Sequence, residues 1–344
     1  MQLTGLSLWV IVPIFLAAAA IVWGAGTRLT GYLDGIATLT GIGHAFAGML
    51  LLGGITSLPE VASVATASVA GNAPLATNNL LGSVAINVVL IAFADVLMGR
   101  EALTSVVPTS TTILQGALGM IALGILVLAI LTGDVAIGWI GLWPVVLAAY
   151  CVFAFRLSSL YSKRRPWQAV KAAPLSPVRD EDLSGSSLQS LIAKTSLAGV
   201  AILIAGFFLA LSGEAIAEKT GLGSGLVGLV LVGFATSLPE VSSIAAAVRL
   251  KRYEMALGDI FGTNLLTIGL LVMADGLYTE GPVLVHAGKF ETIAALIGLL
   301  LTGIFLVGLI ERGNRSVARL GYDSLAALCV FFAGLALLAL TPAS

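Results

Sequence analysis

The hexapeptide Thr56-Ser57-Leu58-Pro59-Glu60-Val61 recurs unchanged as Thr236-Ser237-Leu238-Pro239-Glu240-Val241 in the second half of the chain. The same offset in numbering pairs Thr40-Gly41 with Thr220-Gly221, Gly48 with Gly228, Gly53 with Gly233, Ser63 with Ser243, Gly82 with Gly262 and Asp95 with Asp275. No gap is needed between about position 40 and position 100. Chance alignment of two apolar helices yields scattered Ala and Leu identities, not an identical string containing Pro and Glu. The chain is therefore read as two copies of one unit.

Composition says what that unit is dissolved in. Of 344 residues, 58% are hydrophobic and 10% charged, with a mean hydropathy of +1.05. Soluble domains carry about 25% charged residues, so lipid must be the main solvent here. The apolar stretches run to about the 20 residues a spanning helix needs. They lack the short alternating segments of an outer-membrane barrel. The expected fold is an all-α integral membrane bundle of ten spans, roughly 7–26, 40–70, 77–97, 108–132, 135–155, 190–213, 222–248, 256–278, 290–311 and 322–341. The second and seventh are long and interrupted at Pro59 and Pro239.

One connection is substantial. The stretch 156–189 contains Pro166, Pro174 and Pro177 with both basic and acidic runs, and reads as an aqueous linker. It separates a first five-helix repeat (1–155) from a second (190–344). With an odd number of spans per repeat, the copies lie in opposite orientations, the inverted plan of secondary transporters. An outward N-terminus places all 17 Lys and Arg except Lys219 and Lys289 on the inner side. That one-sided bias predicts outward termini and a cytoplasmic linker. Met1 to Ser7 has no basic n-region, so the first apolar segment is expected to be a retained helix. Cys151 and Cys329 fall in apolar spans and suggest no disulfide framework. The basic residues occupy short loops, which argues against nucleic-acid binding.

Glu60 and Glu240 sit deep in apolar spans, where an ionised side chain costs at least ~2.5–3.5 kcal/mol. No Lys or Arg lies within either bent span to neutralise them before Arg249. One such Glu could be a protonated helix contact. Two at symmetric positions point to a bound cation. Pro59 and Pro239 lack an N–H, so the carbonyls of Ile55 and Ala235 lose a helix donor. Broken backbone at membrane depth is tolerated where it lines a cavity. Thr56, Ser57, Thr236 and Ser237 add hydroxyl oxygens, though interhelical hydrogen bonding is their bland role. Such hard oxygens suit Na⁺ and Ca²⁺, the latter taking ~6–8 of them. Downstream, Ser83 and Asn87 share one helix face, as do Thr263 and Thr267. Each set follows a Gly that permits close helix approach, Gly82 or Gly262.

The two TSLPE strings, each followed at one fixed spacing from its Glu by Asn87 or Thr267, resemble the α-repeats of the sodium/calcium exchanger superfamily, in its compact prokaryotic form. The resemblance covers both halves in order, orientation and spacing. It implies a ten-helix inverted-repeat antiporter in a cytoplasmic membrane, exchanging Na⁺ for Ca²⁺ by alternating access. By position, Glu60 and Glu240 would be shared carboxylate ligands, and Thr56, Ser57, Thr236 and Ser237 hydroxyl and carbonyl ligands. Gly53 and Gly233 would give backbone oxygens at outer Na⁺ sites, and Ser83, Asn87 and Thr263 would complete the ring with the Thr267 position.

The chain also departs from that pattern. The family's Gly-Ser-Asn reads Gly-Ser-Val at Val84 and Gly-Thr-Asn at Asn264, and many sodium-coupled members carry Asp where this chain has Thr267. Two carboxylates balance one Ca²⁺ but not three Na⁺, which opens H⁺ coupling or another divalent cation as the alternative. Asp259, two turns before Thr267, reads as a solvated helix-start residue, with partial compensation at the cytoplasmic mouth as the competing idea. His44 and His286 read as helix-end or loop residues, Asp95 and Asp275 as interfacial caps, and Asp180-Glu181-Asp182 as solvated linker. An intramembrane enzyme would need paired Asp, a Ser–His pair or a HExxH helix in the spans, and none is found. A channel could use the same ligands, but the inverted repeat suits an occluded site better. No cofactor and no protein partner is expected beyond lipid and the transported ions.

Overall fold

The structure, a computed structural model, describes residues 5–99, 101–107, 110–164, 187–220 and 236–341. In chain order its elements are α1 (Leu8–Thr40), α2 (His44–Ala47), a π-helical turn (Gly48–Leu52), α3 (Gly53–Thr56), α4 (Leu58–Val69), α5 (Ala73–Met98), α6 (Leu103–Val106) and α7 (Thr111–Thr132). A hairpin, β1 (Ala136–Ile137) and β2 (Ile140–Gly141), leads into α8 (Leu142–Arg164). There follow α9 (Leu188–Lys219), α10 (Leu238–Arg249), α11 (Tyr253–Gly269), α12 (Leu271–Leu277), a 3₁₀ turn (Val283–His286) and α13 (Lys289–Glu311). A second hairpin, β3 (Ser316–Val317) and β4 (Leu320–Gly321), precedes α14 (Tyr322–Ala339).

Among the described residues, eight helical stretches are long and apolar enough to cross a membrane, and α2–α3 with α4 forms a ninth span bent by 46°. The seventh expected span is described only from Thr236 onward; its first part, with Gly228 and Gly233, lies outside the described residues, as does 165–186 of the expected linker with Pro166, Pro174, Pro177 and Asp180-Glu181-Asp182.

Several boundaries differ from expectation. The first span, expected over 7–26, continues as α1 to Thr40, 33 residues in all. At 1.5 Å per residue that is about 50 Å, against an apolar bilayer core of about 30 Å, so α1 tilts or projects from the membrane. Asp34 and Arg28 end the apolar run but not the helix. The helix stops at Gly41, whose φ of 72° places its N–H on the Ala37 carbonyl. Its repeat mate α9 starts at the matching position of the second half, Leu188 against Leu8, and is likewise longer than the expected 190–213. The linker expected from Arg156 begins later, since α8 runs to Arg164. The eighth span is interrupted at Leu270, a break that no Pro announces.

The repeat persists well past the matched strings. The two hairpins fall at the same offset, with the pair Ala136–Gly141 answered by Ser316–Gly321 in identical register. Asp95 and Asp275 tie them down. The Asp95 carboxylate accepts from Leu103 N–H (2.7 Å), Gly321 N–H (2.9 Å) and the Ser324 hydroxyl (2.6 Å). Asp275 accepts from Val283 N–H (2.6 Å) and Gly141 N–H (2.5 Å). Capping is thus what these acids do, and each caps the hairpin of the other half as well as its own following loop.

The largest core cluster draws on α5, α7, α11 and α13, through residues such as Val84, Leu126, Phe261 and Phe305. Small residues set its closest approaches. A Cβ on Gly258 or Gly262 would overlap the backbone of Ala45 or Met49, and one on Gly48 the backbone of Met255. Backbone therefore lies on backbone where α11 crosses the π-turn. Gly262→Val is expected to lower the melting temperature in detergent, because overpacking costs ~1–3 kcal/mol even where side chains can yield, and here backbone must move. An unchanged melting temperature would contradict this packing. The long helices use glycine the same way. A Cβ on Gly26 of α1 would overlap Ser242 of α10, and one on Gly206 of α9 would overlap the ring of Pro59.

Candidate ion-binding site

Both TSLPE strings fold as a break followed by a helix start. Ser57 (φ −76°, ψ 0°) separates α3 from α4, and Ser237 (φ −83°, ψ 5°) precedes α10. Pro59 and Pro239 fall at the first turn of the new helix, where a missing N–H costs nothing. The π-turn before Gly53 loosens the first string further, a feature frequent at functional sites. In consequence Glu60 and Glu240 each sit in the first turn of a half-helix, near its partial positive charge.

Both glutamates are fully buried, and their four carboxylate oxygens have no hydrogen-bond partner. The Thr56 hydroxyl is near enough to act on Glu240, but its proton has other acceptors in better geometry. None of the ion pairs among the described residues involves either glutamate. They lie close enough to act on one another electrostatically. Buried charge is ordinarily paired or coordinates a cation, and neither carboxylate has a basic side chain among the described residues to pair with.

The remaining candidates divide by how their oxygens are used. Ser83, Asn87 and Ser237 are fully buried, and their side-chain polar atoms have no partner. Thr236 is fully buried too. The Ser57 hydroxyl donates to Gly53 O at 2.6 Å. The Thr56 hydroxyl has Leu52 O at 3.1 Å, Gly53 O at 3.3 Å and Asp259 Oδ1 at 3.3 Å within reach of its single proton. By donating outward, these hydroxyls keep lone pairs for a cation. Gly53 differs from expectation. Its carbonyl accepts from Ser57 N–H, the Ser57 hydroxyl and, at 3.4 Å, the Thr263 hydroxyl, so it is not a free backbone ligand in this conformation. Gly233 lies outside the described residues. Thr267 lines a cavity of only about 10 Å³ with Thr77 and aliphatic side chains such as Leu80, Val84 and Ile268, and its hydroxyl has no partner. The two departures at repeat-related positions meet each other, since Asn264 Nδ2 donates to Val84 O at 3.3 Å.

Asp259 overturns its reading as a solvated helix-start residue. It is fully buried, six residues into α11. It accepts from the hydroxyls of Thr56 and Ser243, and it lies within electrostatic reach of Glu60 and Glu240. It is part of the site, not of an aqueous mouth.

The sequence reading also missed an ion-pair cluster where α1, α2 and α11 meet. Asp34 Oδ1 lies 2.5 Å from Arg252 Nε and 3.0 Å from His44 Nε2, with Glu254 Oε1 3.8 Å from His44 Nδ1. Asp34 carries no signal in the sequence because it lies beyond the apolar run that marks the first span. Gln115 was missed as well; its Nε2 donates to Ala45 O at 3.1 Å, beside the π-turn. His286 is the exposed turn residue expected, its ring edge-on to Tyr278. Cys151 and Cys329 are free thiols.

Known proteins carry the same architecture. Solved structures of the sodium-calcium exchanger NCX_Mj superpose with TM-scores of 0.69 and 0.70 at 17% identity, covering 96% of this chain and 99% of theirs. They share its fold, a ten-helix inverted repeat. CaxA of Alkalimonas amylolytica, a candidate antiporter, is 27% identical over 303 residues, 86% of this chain and 89% of CaxA. The sodium/calcium exchanger protein family matches residues 10–158 and 191–341, one block in each half. The chain is thus a multi-pass membrane protein and a secondary transporter, not an enzyme, and it belongs to the sodium/calcium exchanger family.

Proposed function

We propose that this protein exchanges Na⁺ for Ca²⁺ across the membrane, by alternating access at a site between the two TSLPE strings. The observation that carries the reading is the pair of fully buried glutamates, Glu60 and Glu240, with four unpartnered oxygens. Two carboxylates balance one Ca²⁺. The unpartnered oxygens of Ser83, Asn87 and Ser237, with the hydroxyls of Thr56, Ser57, Thr236 and Thr263, supply the neutral ligands a hard cation takes in water's place. Gly53 O joins them only if its hydroxyl partners turn away, and Gly233 and Thr267 are secondary members of the set.

The two repeats, the first running through the end of α8 at Arg164 and the second from the start of α9 at Leu188, provide the two bodies that rock about the site. The Lys and Arg distribution supports outward termini and a cytoplasmic linker, and the short linker and compact length, which resemble those of prokaryotic members, support a bacterial or archaeal cytoplasmic membrane.

The testing experiment is ⁴⁵Ca²⁺ uptake into proteoliposomes loaded with Na⁺ and diluted into Na⁺-free buffer at equal pH. Uptake that requires the Na⁺ gradient is the expected result. Uptake driven by a pH gradient alone would assign H⁺ as the coupling ion, a reading that Thr267 in place of an acid favours. Absence of Ca²⁺ uptake under both gradients would remove Ca²⁺ as the substrate.

A further inference from the structure

The first half answers why Asp259 should be an acid. Its repeat mate is Asn79, whose Nδ2 donates to Ser63 Oγ at 3.0 Å. In the second half the mate of Ser63, Ser243, donates to Asp259 instead. The same helix contact is therefore made by a neutral amide in one copy and by a carboxylate in the other. An amide meets the structural need, so the negative charge is additional to it. Burying that charge is costly unless a positive charge accompanies it, and no Lys, Arg or His among the described residues pairs with it. Both its oxygens accept from hydroxyls, each with a lone pair to spare. Among the described residues no three Asp, Glu, His or Cys side chains come close enough to hold one metal ion together. Asp259 thus adds charge beside the glutamate pair, not a third acidic ligand to a shared ion.

We propose that Asp259 supplies the third negative charge of the transport cavity and, with the Thr56 hydroxyl oxygen, binds a monovalent cation next to the Glu60–Glu240 pair. This rests on the Na⁺/Ca²⁺ reading above. Three carboxylates are balanced by three Na⁺, whereas one Ca²⁺ leaves a single negative charge. Without Asp259 the cavity is neutral with either two Na⁺ or one Ca²⁺. Asp259 therefore sets how many Na⁺ compete with each Ca²⁺, and it does so from a position other than 267.

The test is displacement of ⁴⁵Ca²⁺ by NaCl from the purified full-length protein, with choline chloride holding ionic strength constant. The wild type is expected to show a limiting log–log slope of about three, and Asp259→Asn about two, by mass action. The exchange variant carrying Asp259→Asn with Asn79→Asp puts the charge on the mirror position and is expected to recover the steeper slope. Equal slopes in wild type and Asp259→Asn, or a shallow slope in the exchange variant, overturn the assignment. So does an Asp259→Asn protein that elutes as a monodisperse peak yet binds no Ca²⁺. If Glu240→Gln binds ⁴⁵Ca²⁺ as the wild type does, the underlying ion site is wrong and this inference falls with it, a result distinct from unchanged slopes in a protein that needs Glu240.

Discussion

Glu240→Gln abolishes gradient-driven Ca²⁺ uptake, and Glu60→Gln does the same: that is the expected result of the first variants to make. A unit charge about 4 Å from another is worth roughly 4 kcal/mol at an effective dielectric constant of 20, which is close to three decades of affinity at about 1.4 kcal/mol per decade. Ca²⁺ carries twice that charge, so the loss is at least of this order. Gln keeps the shape of the side chain and removes a buried charge that has no hydrogen-bond partner. The ion-free protein should therefore melt no lower than the wild type, while the upward shift of melting temperature produced by Ca²⁺ disappears. Stability and transport then move independently, which a glutamate serving only as a helix contact could not produce. Near-normal uptake in both variants would leave the proposed function without its basis.

Asp95→Ala should be the most damaging substitution away from that site. Its carboxylate satisfies Leu103 N–H, Gly321 N–H and the Ser324 hydroxyl. Each stranded buried donor costs about 1–3 kcal/mol, so losing the acid costs on the order of 3–9 kcal/mol. Whole domains are stable by only ~5–15 kcal/mol. The variant should appear as low yield in the membrane and early unfolding in detergent, with Asp275→Ala milder because two backbone donors are stranded there. Asp95→Asn, which keeps one acceptor oxygen, should fall between Ala and wild type. A melting curve for Asp95→Ala that overlays the wild type would refute the cost assigned to these bonds.

What the sequence made readable was whatever repeats or is written within one helix. The duplicated hexapeptide, the two buried glutamates and the broken spans all follow from local chemistry and the constant offset between the copies. Asp259 was misjudged because its environment is built elsewhere in the chain. Thr56 is 203 residues away and Ser243 is 16, and an acid six residues into a helix reads as exposed until such neighbours are known. The Gly53 carbonyl is a free ligand only by the family resemblance, which says nothing of its neighbours. Three donors from Ser57 and Thr263 fill it instead. The length of α1 was misread for another reason: hydropathy falls at Arg28, but a helix ends only where its backbone is capped, at Gly41. The π-turn over Gly48–Leu52 left no trace in sequence, since its residues are unremarkable helix formers apart from one Gly.

The cross-bonding of the hairpins bears on how such a chain could arise. Gly141 N–H, in the first half, is satisfied by Asp275 of the second, and Gly321 N–H, in the second, by Asp95 of the first. A solitary five-helix copy would leave its own hairpin amide unanswered and one oxygen of its own aspartate idle, the other oxygen being held by the loop of the same half. A second copy inserted upside down would answer both at once, each subunit giving the other the bond it needs. That reciprocity is the signature of an isologous contact, in which one surface is complementary to itself about a twofold axis. The bond pattern is that of two copies joined through one self-complementary contact, and the site charge at Asp259, where the other copy has Asn79, marks a place where the halves differ.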